Sequence, residues 1–366
     1  MNDQDCRLSK KSGNHESPKR RNHERNHNSW KGFHSPDCPS FVVSFFRDFV
    51  IPFLLIFLCC LSPAFAQFKE GDPGGAKTGV AQAHKWKAGV VVTAAGGPCR
   101  SIVGYVPVPI EWPEQTVNVS QQEVSPGVHV TYQTLDETAK LMIVRIPWIA
   151  AGEQAKAVLT FEVNRAMQLP PEDKTAFVLP VLKDLSPALR HYLGASPKIE
   201  VQNPKIRKAA KETGANAKLA WDRVEALYDW MRTQVKYKTG DPVKGAAATL
   251  KDGFGGHDDM TSLFVALCRA AEVPARTVWV PEFSYAEFYL LDKKGEGHWI
   301  PCSPAGAKAF GEMLDTKPVL AKGDNFRVPY DSREHQRYIK EYLTGAPASP
   351  QGGGRPRVQF IHEMTN

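Results

Sequence analysis

The sequence predicts an α+β protein in two unlike parts, an Ig-like β-sandwich followed by a helix-then-strand domain. Three observations predict this. From Lys85 to about Arg165 short runs rich in Val, Ile, Thr and Tyr follow one another, broken by GGP, SPG and DET turns. After Asn164 that rhythm stops and prolines 170, 171, 180, 187 and 197 punctuate the chain. Beyond them stand apolar residues at helical spacing, and then three more strand-like runs.

The strand candidates are Ala88–Thr93, Ile102–Val108, Thr116–Glu123, Val128–Thr134, Leu141–Ile146 and Ala157–Val163. Their number and spacing are those of an Ig-like sandwich over residues 85–165. Residues 166–200 read as a connector. Trp221–Val235 places Val224, Leu227, Tyr228, Met231 and Val235 on one helical face, and a small helix is expected over Ala246–Lys251. A second apolar helix, Asp258–Ala271, carries Met260, Leu263, Phe264, Leu267, Cys268 and Ala271 in one stripe. Arg276–Val280, Ala286–Leu291 and His298–Cys302 read as antiparallel strands. Together these make a domain over 201–310. Residues 311–345 are expected to pack on it as an extension, and the Pro- and Gly-rich residues 346–366 read as a flexible tail.

The 366 residues allow about two domains, and the composition, 42% hydrophobic and 23% charged, is globular. A net charge of +7 without a basic block in the second half argues against nucleic acid as a partner. Residues 1–48 form a basic, Asn-, His- and Ser-rich extension with too few apolar residues to offset ordering entropy, and read as disordered. Phe49–Leu61 is a thirteen-residue apolar run followed by Ala64-Phe65-Ala66. That is the pattern of a secretory signal peptide over 49–66, so an exported chain is expected. The alternative is retention as a membrane anchor over 41–61, which Arg47-Asp48 opposes. Residues 67–84 read as a linker. An exported chain keeps three cysteines, Cys99, Cys268 and Cys302, an odd number that rules out a disulfide scaffold.

One stretch invites a catalytic reading. "GGHDDMTSLFVALCR" is a small-residue turn running into the apolar helix, with His257 at the threshold. A nucleophilic cysteine gains from that position, because the helix dipole lowers its pKa. The stretches "AWDRVEALYDWMRTQVKY", "AAATLKDGFGGHDDMTSLFVALCRAAEVPART", "YAEFYL" and "HWIPCSPAG" resemble, in order, the landmarks of the transglutaminase-like domain, a relative of the papain-like thiol-protease fold. The resemblance covers roughly residues 201–305. It implies a Cys-His-Asp triad, and it carries those three roles onto His257, Phe283 and Ser303 respectively. All three positions are substituted.

No other residue restores the triad. Cys268 lies eleven positions along the helix from His257, about 16 Å away, and Cys302 alternates to the other strand face from Ser303. Asp258, Asp259, Ser284, Tyr285, Glu287 and Trp299 remain as cleft candidates. Asp258 and Asp259 are better explained as capping residues at a helix N-terminus than as metal ligands. Glu287 and Arg276 are expected in scaffold ion pairs. No metal and no cofactor is expected. The sequence therefore points to a degenerate module that binds an extended peptide or protein polymer in the former cleft. The alternative is an active hydrolase or acyltransferase with a rebuilt His/Asp or metal site.

Overall fold

The structure is a computed structural model that describes residues 77–239, 242–348 and 354–365. The basic extension, the hydrophobic segment and residues 67–76 of the linker lie outside the described residues. Among the described residues no helix is long and apolar enough to cross a membrane.

Six strands open the described chain: β1 (Lys77–Thr93), β2 (Cys99–Val108), β3 (Gln115–Val124), β4 (His129–Leu135), β5 (Ala139–Ile149) and β6 (Gln154–Leu169). In one sheet β1 and β3 pair antiparallel with β6; in the other β2 and β4 pair with β5. Alternate residues turn inward, as the two-residue period of a strand demands. Trp86, Ala88, Val90 and Val92 of β1 meet Leu159, Phe161 and Val163 of β6, and this layer shares a core with Val106, Val144 and Ile146 of the other sheet.

β1 begins at Lys77, so the second half of the expected linker is strand, and β6 runs on to Leu169 inside the expected connector. These additions pair with each other, Lys77 with Leu169 and His84 with Val163, across a bulge after Thr78. Little of Lys77–His84 is buried, so it had no apolar alternation to announce it. Backbone pairing to β6 is what makes it strand.

The next segment holds α1 (Pro187–His191), α2 (Pro204–Glu212), α3 (Ala220–Gln234), β7 (Lys236–Tyr237), α4 (Ala246–Asp252), β8 (Phe254–Gly255) and α5 (His257–Ala270). Asn203 caps α2 through Lys205 N at 3.0 Å, with Pro204 in the first turn, where its missing N–H costs nothing. α5 was expected to bury one stripe. Instead every residue from Asp259 to Arg269 is buried, polar ones included. The helix runs through the middle of the domain, packed by α2, α3 and α4 as well as by strands.

Strands β9 (Ala275–Val280), β10 (Phe283–Leu291) and β11 (Gly297–Ser303) follow as an antiparallel set. Last come β12 (Ala309–Phe310), β13 (Ala321–Lys322), β14 (Phe326–Val328), β15 (Asp331–Gln336), β16 (Tyr342–Pro347) and β17 (Arg357–Thr365). β13 is two residues long, yet Ala321 pairs with Trp279 of β9 on one side and Ala139 of β5 on the other. It thereby joins the strands after α5 to the first region in one nine-stranded sheet.

The expected tail over 346–366 needs correction. β16 pairs with β2, and β17 pairs with β1 along Lys85–Thr93. Val358 and Phe360 pack against the core between the two sheets. The Pro- and Gly-rich composition of residues 347–356 belongs to the connection between these strands, and it hid an alternating strand behind it.

Candidate functional site

The approach to His257 is shaped by glycine. Gly253 ends α4 in the left-handed region at φ 71°, a conformation that favours a residue without Cβ. A Cβ on Gly255 would lie 2.7 Å from the Cβ of Asp259, so only glycine lets the chain turn this tightly into α5.

Asp259 then reaches back over the turn. Its carboxylate accepts from Gly256 N at 3.4 Å, Lys244 N at 2.7 Å and Gly245 N at 3.2 Å. It is a capping residue that also clamps the preceding loop. Asp258 accepts from Ser284 Oγ at 2.6 Å and faces Arg337 Nη1 at 3.4 Å. Arg337 further donates to Asp258 O and Ser262 Oγ, at 2.9 and 2.8 Å. Arg337 comes from the C-terminal extension, and no local pattern in the chain marks it.

His257, the first residue of α5, is half-buried. Its ring lies 5.5 Å from that of Phe283 and 5.0 Å from that of Tyr237. The backbone of Gly306 runs alongside, close enough that a Cβ there would sit 3.8 Å from Cε1. Burial lowers the imidazole pKa, Asp258 pulls it the other way and Lys317 adds to the lowering, so the ring is neutral at neutral pH. Its buried Nδ1 has no hydrogen-bond partner among the described residues. Ser303 spends its hydroxyl on the carbonyl of Ala305 at 2.8 Å. Its carbonyl accepts from Tyr228 Oη at 2.7 Å, while Arg232 donates to Pro304 O and Gly306 O. The turn after β11 is thus tied to α3.

Three cleft candidates are corrected. Ser284, Tyr285 and Glu287 are buried. α5 covers one face of β10, while the first sheet region and the C-terminal extension cover the other, so consecutive residues are both interior. Tyr285 accepts from Arg165 Nη2 at 2.8 Å. Glu287 takes Arg276 Nε and Lys322 Nζ, each at 2.7 Å, and Lys322 also reaches Glu114 at 2.7 Å. Burial alone would raise the Glu287 pKa, but Lys322 and Arg276 outweigh it and hold the carboxyl down at about 2. A second buried pair, Arg269 with Asp324, stands close by at 2.9 and 2.8 Å. The expected scaffold roles of Arg276 and Glu287 agree with this geometry.

Trp299 is half-buried and lies away from His257, with Arg276 4.0 Å over its ring. Cys268 and Cys302 are free thiols in the core behind α5, and burial raises both pKa values. Neither is poised as a nucleophile. Among the described residues the one His/carboxylate group with converging ligand atoms is Asp292, Glu296 and His298, within 4.8 Å of one another. It sits at the β10–β11 turn and does not include His257.

A helix entered through a glycine turn, with three antiparallel strands behind it, is the arrangement of the papain-like class. Residues 207–304 match the family model of the transglutaminase-like superfamily, and this part of the chain is a transglutaminase-like domain. Among solved structures, a proposed cysteine protease from Cytophaga hutchinsonii is similar at 18% identity and a TM-score of 0.49, over 78% of this chain and 92% of that one. A proposed protease from Parabacteroides distasonis is similar at 12% identity and a TM-score of 0.26, over 61% of this chain and 47% of that one. No curated protein matches the sequence.

Proposed function

We propose that this chain is a catalytically degenerate transglutaminase-like protein whose former active-site cleft binds an extended peptide or protein polymer. The observation that carries the reading is the packing of His257 against Phe283, ring to ring at 5.5 Å. At the positions the resemblance assigns to thiol and base stand a neutral imidazole and a phenyl ring. Acyl-enzyme chemistry needs a nucleophile within hydrogen-bond reach of a base, and these two side chains cannot form that bond. With Tyr237 they form an aromatic patch beside a helix N-terminus, suited to side chains of an extended segment. In this reading the region before the domain is an Ig-like module, the hydrophobic segment over 49–66 directs export, and neither a metal nor a cofactor takes part.

The test uses the full chain, a dye-labelled unfolded polypeptide and a set of amide and ester substrates. Binding is expected by fluorescence anisotropy, with turnover at the level of buffer. The change Phe283→Asp should weaken binding about tenfold by placing a charge among the rings. Enzyme-dependent hydrolysis or acyl transfer that disappears in His257→Ala would establish the alternative, a rebuilt active site.

A further inference from the structure

A cavity of about 650 Å³ opens between α1, the β4–β5 turn and the β14–β15 hairpin. That volume is in the range of small-ligand sites. None of His257, Phe283 or Tyr237 lines it. Its walls are aromatic: Trp112, Tyr192 and Trp299. Arg276 lies among them, 4.0 Å over Trp299, but its charge is balanced by Glu287 at 2.6 Å. Asp324, also in the wall, is balanced by Arg269. The charged groups among the aromatic walls are therefore already paired with partners of opposite sign.

The rim is different. Arg327 donates through Nε to His335 Nε2 at 2.9 Å. That makes Nε2 an acceptor, so the proton sits on Nδ1, which donates to Asn325 Oδ1 at 2.7 Å. The relay fixes the guanidinium plane, while the two terminal nitrogens make no hydrogen bond or ion pair with any described residue. A fork held this way matches a carboxylate. Asp136 and Glu137 also line the cavity, from the tip of the β4–β5 turn. Both have positive φ, 46° and 57°, in a tight turn closed by Thr138 N to Leu135 O at 2.9 Å. Such a turn favours Asn-Gly, and a non-glycine pair there is strained. Neither carboxylate has an ion-pair partner among the described residues. Charges of both signs thus edge one cavity without forming an ion pair with each other.

We propose that this cavity is a binding site for a small zwitterionic peptide. Arg327 takes the carboxylate end, Asp136 and Glu137 take the ammonium end, and the aromatic walls take an apolar side chain. The site stands apart from the cleft at His257, so either reading can fail alone.

The test is calorimetric titration of the full chain with L-alanyl-L-phenylalanine, its C-terminal amide and its N-acetyl form. The free dipeptide should bind with Kd of about 1 mM or tighter, and each capped form about tenfold more weakly, the loss expected for one charge-assisted hydrogen bond. Arg327→Gln should erase the difference between acid and amide and keep that between amine and acetyl. The double change Asp136→Asn with Glu137→Gln should do the reverse. The capped peptides need no variant, so misfolding cannot hide the answer. Failure of the free dipeptide to bind at 10 mM, or equal binding of all three forms, overturns the proposal.

Discussion

The pocket around His257 and the charge cluster around Glu287 lie on the same strand, β10, and have opposite characters. At one end Phe283 meets a histidine whose Nδ1 finds no partner among the described residues. Four residues on, Glu287 is saturated by two cations that come from different parts of the chain. Half-exposed aromatic side chains such as these can stand in for one another at little cost. A buried carboxylate between Arg276 and Lys322 has no such freedom, because losing one member leaves the others charged in the interior. The difference teaches where this scaffold is constrained: at its buried ions more than at the side chains around His257.

The largest expected effect follows from breaking that cluster. Glu287→Ala should destabilise the fold by about 3–5 kcal/mol, read as a fall in the urea midpoint, because Arg276 then stays buried without a counter-charge and Lys322 is left with Glu114 alone. A loss below about 1 kcal/mol would mean that the cluster relaxes into water and that the contrast is false. pH tests the same point. The folded-state pKa of Glu287, about 2, lies below its ordinary value of 4.5. Its contribution is therefore complete above pH 4.5 and is lost as pH falls through about 2. Asp324 shifts in the same direction: burial opposes the shift and Arg269 overcomes it. Acid unfolding should accordingly be shallower and begin at higher pH in Glu287→Gln.

A smaller effect is expected in the core beneath the cleft. Cys268→Ser places a hydroxyl in a fully buried apolar site and should cost about 1–3 kcal/mol. The native thiol should resist alkylation until the protein unfolds. Rapid labelling of the folded chain would show that this core is open to solvent.

The smallest effects belong to the cleft itself. The folded pKa of His257 lies below 6.5, so the unfolded chain takes up the proton first. Stability should fall slightly as pH drops below 6.5, and His257→Phe should flatten that slope while leaving stability at pH 8 nearly unchanged. The triple change His257→Cys, Phe283→His and Ser303→Asp sharpens the comparison further. If the backbone still poses a triad, the new thiol should titrate well below the free value of about 8.5. The Ser303 position argues for a partial gain, since its hydroxyl is now spent on Ala305.

Much of the domain could be read from the chain. α3 and α5 follow from apolar residues at helical spacing; the resemblance assigns His257 by the glycine turn before α5 and Phe283 by its place four residues before Glu287 on β10. In the structure the two rings lie 5.5 Å apart. What escaped was long-range. Glu114 and Lys322 are 208 residues apart, and no local period tells either of its partner. Arg337 reaches the start of α5 from 79 residues away. β17 escaped for a different reason: its pairing depends on β1 offering a free edge, and composition around Gly352 and Pro356 outweighed the alternation of Val358 and Phe360. The covered second face of β10 depends on the same long-range information, so no local pattern shows that Ser284, Tyr285 and Glu287 are buried.

The pairing of β17 with β1 also has a mechanical side. The strands are antiparallel, with rungs from Lys85–Thr365 to Thr93–Arg357, so β1 enters and β17 leaves at the same end of the sheet. A load applied between the segment before Lys77 and a cargo fused after Thr365 would act across neighbouring strands rather than along them. The rungs would open one after another like a zipper, each bearing the whole force in turn, instead of sharing it in shear. A chain held at its front end could in this way release its last strand under gentle tension while the domain around α5 stays shut.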